Sequence, residues 1–373
     1  MHPNVITTTE QLNAFCSDLA AAQWIALDTE FMRESTYYPN LCLLQIASDT
    51  VASCIDVIEL TDIEALLNIL RDPTKVKIVH SARQDLEVLY ASYNLSIEPL
   101  FDTQIAASIL GMEAQVSYGA LVEQIDGTRL SKTESRTDWQ RRPLTAAQIE
   151  YALDDVHYLG TLYIQLKSQL EEVGREQWLA EECQQLTATD TFVTDPNQAW
   201  KSLKGVGNVE RRYLPCVQQL AAWREKRAQK SNRPRRWLLP DLNLIELCQM
   251  DPNKITQYLE AEVPSAKSKE NEIRAQLQLV DASIASRPEF EIMPPRLARE
   301  DQDKVKKLMQ HIKATAEEIG TSSTLLANRK SIDRLVMGKT SKVEQGWRKA
   351  VVGDALKLQL AALNSETEET QIK

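Results

Sequence analysis

The sequence Asp28-Thr29-Glu30 places two carboxylates two residues apart, directly after the apolar run Trp24-Ile25-Ala26-Leu27. We interpret that run as a strand that ends at Asp28, and in an extended chain residues two apart project to the same face. Both carboxylates can then converge on one point, as a metal site requires. Alone the pair is weak evidence, because in a chain with 53 acidic residues such spacing recurs by chance and two solvated acids explain it.

Two further acidic residues occur where an α/β protein gathers an active site. Asp85 opens a helix pattern immediately after the strand pattern Val76 to His80. Asp155 follows Tyr151 by four residues within a helix pattern, so the two side chains share one helix face. Asp154 points about 100° away from Asp155 and is interpreted as a solvated neighbour.

Four carboxylates and a tyrosine suit the hydrolysis of a phosphodiester. Two divalent ions about 3.5–4 Å apart activate the attacking water and stabilise the leaving oxygen. Mg²⁺ and Mn²⁺ prefer hard oxygen ligands, so a few Asp and Glu side chains are enough to hold them. A tyrosine beside them can orient the attacking water. The candidates for such a site are Asp28, Glu30, Asp85, Asp155 and Tyr151.

The elements that must position these residues indicate an α/β domain. Strand patterns at Leu41 to Ala47 and Ala52 to Ile58 follow the first strand so closely that an antiparallel meander is predicted. Helices are predicted at residues 61–70, 82–93 and 145–173, the first with a capping box of Thr61 and Glu64 and the last capped by Thr145.

From Asp102 onward the pattern is helical, and around Thr187 to Asn197 it fades into a linker rich in Thr, Asp and Pro. Two helical blocks follow, and the second begins after Met293-Pro294-Pro295. The predicted domains are therefore an α/β domain at 1–190, with its core at 3–171, and two small all-α domains at 208–289 and 294–373.

The bulk composition, 43% hydrophobic and 26% charged, is that of a globular protein. No apolar run approaches the roughly 20 residues that span a bilayer, and Met1 to Glu10 lack the pattern of a signal peptide. We therefore expect a cytoplasmic monomer with no membrane partner. The six cysteines include no C-x-x-C pair, so we expect reduced thiols rather than a zinc site or a disulfide framework.

Positive charge is concentrated in one segment of an otherwise acidic chain. The net charge is −10, yet Lys201 to Arg236 contains eleven Lys and Arg against two Glu, a local balance of +9. Basic residues neutralise phosphates and aromatic side chains stack on bases, so this segment is a candidate nucleic-acid contact. Periodicity favours a solvated basic helix face with Trp223 in the core. The best contact candidates therefore lie in the following loop, at Arg233, Arg235 and Arg236.

The order and context of these motifs resemble the tyrosine-type branch of the DEDD exonuclease superfamily. The match comprises Asp28-x-Glu30, then Asp85, then Tyr151-x-x-x-Asp155. The histidine-type branch would have His where this chain has Glu150. The surrounding segments are similar to the ribonuclease D family. These segments are Trp24 to Phe31, Leu43 to Ile46, His80 to Leu86, Phe101 to Thr103 and Asp138 to Leu144.

The resemblance implies a ribonuclease H-like α/β fold and a role for each residue of the site. Asp28, Glu30 and Asp155 would hold the metal ion on the side of the nucleophile. Asp28 would also bridge to a second ion, which Asp85 would support. Tyr151 would orient the attacking water. The residues His80 and Gln84 flank the cleft and could touch substrate, with a structural hydrogen bond as the alternative.

The implied activity is that of a 3′→5′ exoribonuclease that uses two Mg²⁺ or Mn²⁺ ions and releases nucleoside 5′-monophosphates, with precursor tRNA as substrate. Residues Leu220 to Glu225 with Arg233-Pro234 resemble an HRDC module, whose implied role is nucleic-acid binding. Leu326 to Arg329 with Gly346-Trp347-Arg348 resemble a divergent second copy. The alternatives are a 3′→5′ exonuclease of single-stranded DNA and a catalytically silent RNA-binding protein.

Overall fold

The computed structural model describes residues 4–131, 134, 137–189, 192–280 and 297–371. The chain forms two compact units, each built from separate stretches of sequence. The sheet unit comprises Met1–Phe31, Leu41–Ala188 and Leu297–Lys373, and the helical unit comprises Met32–Asn40 and Thr189–Arg296. The predicted domain ends at 1, 190, 289, 294 and 373, and the break at Met293-Pro294-Pro295, lie outside the described residues. Those domain limits remain a prediction.

A six-stranded mixed sheet is the centre of the sheet unit, and its strand order is β1-β4-β3-β2-β5-β6. β3 and β4 are antiparallel, as the predicted meander requires, whereas β1–β4, β2–β5 and β5–β6 are parallel pairs. The strands are β1 (Val5–Ile6), β2 (Trp24–Met32), β3 (Asn40–Ala47), β4 (Ala52–Ile55), β5 (Val76–Val79) and β6 (Leu100–Asp102).

Two predicted strand ends are wrong. β2 does not stop at Asp28 but continues to Met32, so the two carboxylates lie within a strand. Thr29 between them is buried, and this alternation lets a strand carry polar side chains on one face without ending. β4 ends at Ile55 rather than Ile58. The chain turns there because the Asp56 carboxylate accepts hydrogen bonds from the backbone N–H groups of residues 58 and 59.

In the part of residues 4–189 that the structure describes, eight α-helices accompany this sheet. They are α1 (Thr9–Asp18), α2 (Glu64–Arg71), α3 (Arg83–Tyr93), α4 (Thr103–Ile109), α5 (Tyr118–Ile125), α6 (Ala146–His157), α7 (Leu159–Glu172) and α8 (Glu176–Thr187). The predicted capping box at α2 is wrong, because the helix begins at Glu64 and its N-cap Ile63 makes no side-chain cap bond. Instead Asp62 Oδ1 accepts the Glu64 N–H at 2.8 Å.

The single long helix predicted from Thr145 is two helices that meet at Tyr158. The predicted Thr145 cap is confirmed, and Gln148 completes a capping box with it. At the break, the Tyr158 N–H donates to the hydroxyl of Tyr118 at 3.3 Å, and this tertiary hydrogen bond accounts for the end of the first helix. Just beyond it, α7 packs so closely on β2 that a Cβ at Gly160 would lie 2.4 Å from the Trp24 ring.

Within the described residues the helical unit contains six α-helices, and five of them contribute to an apolar core that includes the fully buried Trp200. Residues Met32–Asn40 belong to this unit, since the N–H groups of Tyr37 and Tyr38 both donate to Asn232 Oδ1, at 3.1 and 3.0 Å. The helices are α9 (Leu214–Ser231), α10 (Arg235–Leu238), α11 (Asp241–Gln249), α12 (Ile255–Glu262), α13 (Pro264–Lys267) and α14 (Glu270–Gln278).

Five further described helices belong to the sheet unit, and the segment from Lys342 to Arg348 among them contacts α8. The rings of Trp178 and Trp347 stack with centroids 4.3 Å apart, and the buried carboxylate of Glu182 accepts a hydrogen bond from Trp347 Nε1 at 3.2 Å. The same carboxylate binds the guanidinium of Arg348 and, at 3.0 Å, the ammonium of Lys342. These helices are α15 (Arg299–Ile319), α16 (Ser323–Leu326), α17 (Arg329–Val336), α18 (Gly346–Arg348) and α19 (Asp354–Gln371).

Among the residues that the structure describes, no helix is both long enough and apolar enough to cross a membrane.

Candidate active site

Three carboxylates converge between the sheet and α6. Asp28 and Glu30 extend from β2, and Asp155 extends from the last turn of α6. One oxygen from each carboxylate lies within 4.8 Å of the oxygens of the other two. Asp155 rather than Asp154 joins this group, as its helix position predicts. Three oxygens at this separation can coordinate a single cation.

Asp85 lies beside this group, in the first turn of α3, and is buried. The hydroxyl of Thr29 donates to Asp85 Oδ1 at 2.5 Å, which fixes the carboxylate against the strand that carries Asp28 and Glu30. The charge of Asp85 raises the pKa of Asp28, so the two carboxylates influence each other electrostatically. The structure therefore brings all four acidic candidates together.

Asp102 fixes the start of the helix that carries Asp85. Its carboxylate accepts the backbone N–H groups of Ser81 at 3.2 Å and Ala82 at 2.8 Å, directly before α3. The same side chain caps α4 by accepting the N–H groups of Gln104 and Ile105. Asp102 is therefore the N-cap of α4 and also fixes the turn that leads into α3.

Tyr151 lies one helical turn before Asp155 and hydrogen-bonds to its carboxylate. Burial raises the pKa of Tyr151, and the charge of Asp155 raises it further. The phenol therefore keeps its proton at neutral pH and can donate a hydrogen bond. Its ring lies beside that of Trp139, with centroids 6.3 Å apart, and Trp139 is buried.

Burial is the largest cause of raised pKa values at all four carboxyl groups. The pKa of Asp28 lies well above its usual value, and that of Glu30 rises to about 8, because the neighbouring carboxylates add to the effect of burial at both. The pKa of Asp85 rises to about 7 although the Thr29 hydrogen bond opposes the shift. The pKa of Asp155 also rises to about 7, although the hydrogen bond from Tyr151 lowers it. Repulsion of this kind is relieved when a cation binds.

Metal affinity is expected to rise with pH between about 6 and 8, because a cation binds the carboxylates and their protons must first leave. Calorimetric titration with Mn²⁺ in two buffers of different ionisation enthalpy measures the protons released. We expect more protons released near pH 6 than near pH 8, where Glu30 begins to ionise unaided. Proton release that does not depend on pH would contradict the raised pKa values.

The same groups predict how the metal-free protein responds to pH. Their pKa values are higher in the folded than in the unfolded chain, so above about pH 5 the folded chain binds more protons. The free energy of unfolding should therefore fall as pH rises from about 5 to about 8, and saturating Mg²⁺ should remove this trend. Urea midpoints measured with EDTA and with Mg²⁺ provide the test, and a midpoint that rises with pH in EDTA would contradict it.

The two substrate contacts predicted in the sheet unit, His80 and Gln84, differ in whether their side chains are available to bind a ligand. Both ring nitrogens of His80 have partners, since Nδ1 lies 2.9 Å from the hydroxyl of Thr103 and Nε2 lies 3.0 Å from the carbonyl of Val116. Burial lowers the pKa of His80, so the ring is neutral at neutral pH. These contacts correspond to the structural alternative for His80. Gln84 is exposed in the first turn of α3 and is free to reach a ligand.

The three predicted arginine contacts lie in the helical unit. Arg233 is exposed after α9, Arg235 stacks its guanidinium on the ring of Tyr37 at 5.6 Å, and Arg236 is 75% exposed. Arg235 and Arg236 line a cavity of about 390 Å³. Its other lining residues include the half-exposed Trp237 and Arg33, and sequence reasoning did not select Arg33.

Sequence reasoning also missed residues that hold the site in place. Thr29 was visible only as the residue between two acids, and its bond to Asp85 joins positions 56 residues apart. Tyr118 donates its hydroxyl to the carbonyl of Asp154 at 2.9 Å and so fixes the C-terminal end of α6. No local pattern marks such residues, because their partners are distant in sequence.

The donor set of the cluster consists of carboxylate oxygens, which are hard ligands. Within the described residues, no cysteine or histidine belongs to a potential metal-binding group. This chemistry fits Mg²⁺ or Mn²⁺ and does not fit a thiolate zinc site. A bound divalent cation would also offset the mutual repulsion of the carboxylates and the cost of burying their charges.

Comparison with models of known protein families identifies the class of protein. Residues 3–171 match the family model for a 3′-5′ exonuclease, and residues 214–280 match that for an HRDC domain. The fold is that of an exonuclease domain followed by an HRDC domain and further helices, as predicted.

Full-length relatives narrow the class to one family. The chain is 39% identical over 368 residues to the ribonuclease D of Jannaschia sp., with 95% of each chain covered. It is 34% identical over 383 residues to that of Granulibacter bethesdensis, covering all of this chain and 96% of the relative. The chain belongs to the ribonuclease D family, which confirms the resemblance found in the sequence.

A solved structure agrees over almost the whole chain. RNase D of Escherichia coli, described as an exoribonuclease involved in structured RNA processing, matches with a TM-score of 0.84 at 29% identity. The match covers 97% of this chain and 99% of that one.

Proposed function

We propose that this chain is a 3′→5′ exoribonuclease that hydrolyses RNA from its 3′ end and releases nucleoside 5′-monophosphates. The observation that carries the proposal is the convergence of carboxylate oxygens of Asp28, Glu30 and Asp155 within 4.8 Å, next to a protonated Tyr151. Membership of the ribonuclease D family supports RNA as the substrate and a divalent metal as the cofactor.

The roles proposed for the site residues rest on the carboxylate cluster and on the family resemblance. Asp28, Glu30 and Asp155 would hold a divalent ion, and Asp85 beside them would help to hold a second. Bound Mg²⁺ or Mn²⁺ supplies the charge that activates water and stabilises the leaving oxygen. The Tyr151 hydroxyl, held by its carboxylate partner, orients the water that attacks the terminal phosphodiester.

The proposal extends to the RNA substrate, to the setting and state in which the protein acts, and to its domains. Precursor tRNA is the proposed substrate, and the structured RNA named for the Escherichia coli relative supports that class. We further propose that the protein acts as a cytoplasmic monomer with two metal ions. We also propose the three predicted domains, at 1–190, 208–289 and 294–373, with the last as a divergent HRDC-like domain. Its buried Trp347 supports this assignment, since Trp223 also packs on the core of the first.

Incubation of the purified protein with RNA labelled at either end tests the activity. We expect single nucleoside 5′-monophosphates from the 3′ end with Mg²⁺ or Mn²⁺, and none with EDTA. Single-stranded DNA of the same sequence distinguishes a deoxyribonuclease, and binding without release distinguishes a silent RNA-binding protein. Metal-independent cleavage would contradict the proposal.

Arg233, Arg235 and Arg236 are proposed as RNA contacts of the helical unit. Arg236 is the most available of those that line the cavity, because its nearest carboxylate oxygen, on Asp241, lies 3.8 Å away. Trp237 next to it exposes half of its surface, so a base can stack there while the arginine neutralises a phosphate.

Replacing Arg236 or Trp237 with Ala is expected to weaken RNA binding. Loss of a base stack is worth about 1–3 kcal/mol, so the affinity should fall roughly fivefold or more in Trp237→Ala. Arg236→Ala should reduce the slope of log affinity against log salt by about 1. Fluorescence anisotropy with labelled RNA measures both. Arg212→Ala is the matched control because Arg212 is exposed and pairs with Glu210 at 3.0 Å. Equal loss in the control would show that only general charge matters.

A further inference from the structure

Arg142 and Asp56 form a bidentate ion pair inside the sheet unit. Arg142 Nε donates to Asp56 Oδ2 at 2.6 Å, and Nη2 donates to Oδ1 at 2.8 Å. The two side chains are only 16% and 3% exposed, so water competes little for these bonds. Paired, charge-assisted bonds of this kind are strong and fix the planar guanidinium in one orientation.

The same guanidinium binds three backbone carbonyls. Nη2 donates to the carbonyl of Cys42 at 2.9 Å, and Nη1 donates to those of Trp139 at 2.6 Å and Arg141 at 3.0 Å. One side chain therefore joins strand β3, the end of β4 and the segment that precedes α6.

These contacts use every donor that the side chain has. A guanidinium carries five N–H groups, and Asp56 accepts two of them while the three carbonyls accept the rest. No N–H group remains for a phosphate of the substrate. Arg142 is thus not an RNA contact, although it is a cation in a nuclease domain.

The segment that Arg142 holds leads directly to the proposed catalytic helix. The Trp139 ring packs beside the ring of Tyr151, and Thr145 caps α6 three residues after Arg142. A further bond, from Gln148 Nε2 to the hydroxyl of Thr137 at 3.0 Å, ties the first turn of α6 to the same segment. Displacement of this segment would therefore move the tyrosine.

We infer that Arg142 is a positioning residue for the reaction, and that with Asp56 it holds Trp139 and the start of α6 so that the Tyr151 hydroxyl stays at Asp155. This inference rests on the proposed function, because the position of the Tyr151 hydroxyl affects the reaction rate only if that hydroxyl orients the attacking water.

Two conservative variants of the full chain test the inference. Arg142→Lys keeps the charge but loses the bidentate geometry, and Asp56→Asn keeps the shape but loses the charge. Because small displacements of catalytic groups reduce rates by up to about 100-fold, we expect kcat to fall about 10- to 100-fold in each. KM for a short RNA should stay within about twofold of the wild type, since Arg142 has no donor free for substrate and Asp56 is buried. The kcat of the double variant should be no lower than that of the single variants, because both substitutions disrupt the same ion pair.

Arg141→Ala is the matched control, since it removes an exposed cation from the neighbouring position. Incorporation of 5-fluorotryptophan adds a readout that does not depend on activity. Of the seven tryptophan resonances, that of Trp139, assigned with Trp139→Phe, should shift in Arg142→Lys and in Asp56→Asn but not in the control. The other six should remain in place, which shows that the fold is intact.

Three outcomes would overturn the inference: a kcat within twofold of the wild type in Asp56→Asn, an unmoved Trp139 resonance in both variants, or an equal loss in Arg141→Ala. A general loss of tryptophan dispersion in both conservative variants would also overturn it, because the pair would then maintain the whole fold rather than one segment. If the wild type releases no nucleotide, the proposed function fails, and the resonance shift still reports whether the pair holds Trp139.

Discussion

Replacing Asp28 with Asn is expected to slow nucleotide release by about 10³-fold or more while changing RNA affinity little. Asp28 lies in the carboxylate cluster and is the residue proposed to contact both metal ions. A neutral amide there removes several kcal/mol of charge stabilisation from the transition state, and about 1.4 kcal/mol corresponds to a factor of ten in rate. Asp155→Asn should have a similar effect, because it removes a ligand and the partner of Tyr151.

Single-turnover release of 3′-labelled nucleotide at saturating enzyme measures the chemical step, and anisotropy measures binding separately. Asp154→Asn is the matched control, since it makes the same chemical change on the same helix one residue outside the cluster. It should retain activity within about threefold, because its carbonyl rather than its carboxylate fixes Tyr118. Undiminished release in Asp28→Asn, or equal loss in the control, would refute the assignment of the cluster.

Replacing Glu182 with Leu is expected to lower the free energy of unfolding by about 3–5 kcal/mol, because Arg348 is left buried without its partner. Burial alone would raise the pKa of Glu182, but the hydrogen bond and charge of Arg348, with Lys342, outweigh it and the net pKa is lowered. The carboxylate is therefore charged in the folded protein. Its contribution is present above the pKa of an unfolded Glu and is lost as pH falls below about 4.

Urea midpoints followed by circular dichroism measure this effect. Glu176→Gln is the control, because Glu176 is an exposed acid at the start of the same helix. Glu182→Leu combined with Arg348→Leu should recover part of the loss, since no unpaired charge is then buried. A wild-type midpoint in Glu182→Leu would show that the ion pair of Glu182 with Arg348 contributes nothing to stability.

The sequence predicted the elements that local chemistry determines. Thr145 followed by Gln148 is a complete capping signal, and the helix begins there. The antiparallel pair β3–β4 follows from two strand patterns joined by a short turn. The end of β2 was misjudged because Asp28 interrupts an apolar run, whereas in the fold it lies on a face that gathers acids and the strand continues.

The four acidic candidates could be selected from the sequence because each lies at a recognisable position in a strand or helix. Their supporting residues could not. Thr29 and Asp85 are 56 positions apart, and Arg142 and Asp56 are 86 apart, so only the tertiary fold brings them together. The distribution of the last helices is also invisible in the sequence, because Trp178 and Trp347 carry no local sign that their rings stack.

The pairing of α8 with the last helices has a consequence during protein synthesis. A ribosome completes α8 long before it completes Trp347, and about 160 residues separate Glu182 from the residues that cover it. At roughly 5–20 residues per second this interval lasts about 8–30 s. During that time the nascent chain displays Trp178 and an uncompensated acidic side chain, which a holding chaperone or a protease can reach. The body that carries the active site is thus completed only after the helices at Arg299–Gln371 have been synthesised, although its sheet is synthesised much earlier.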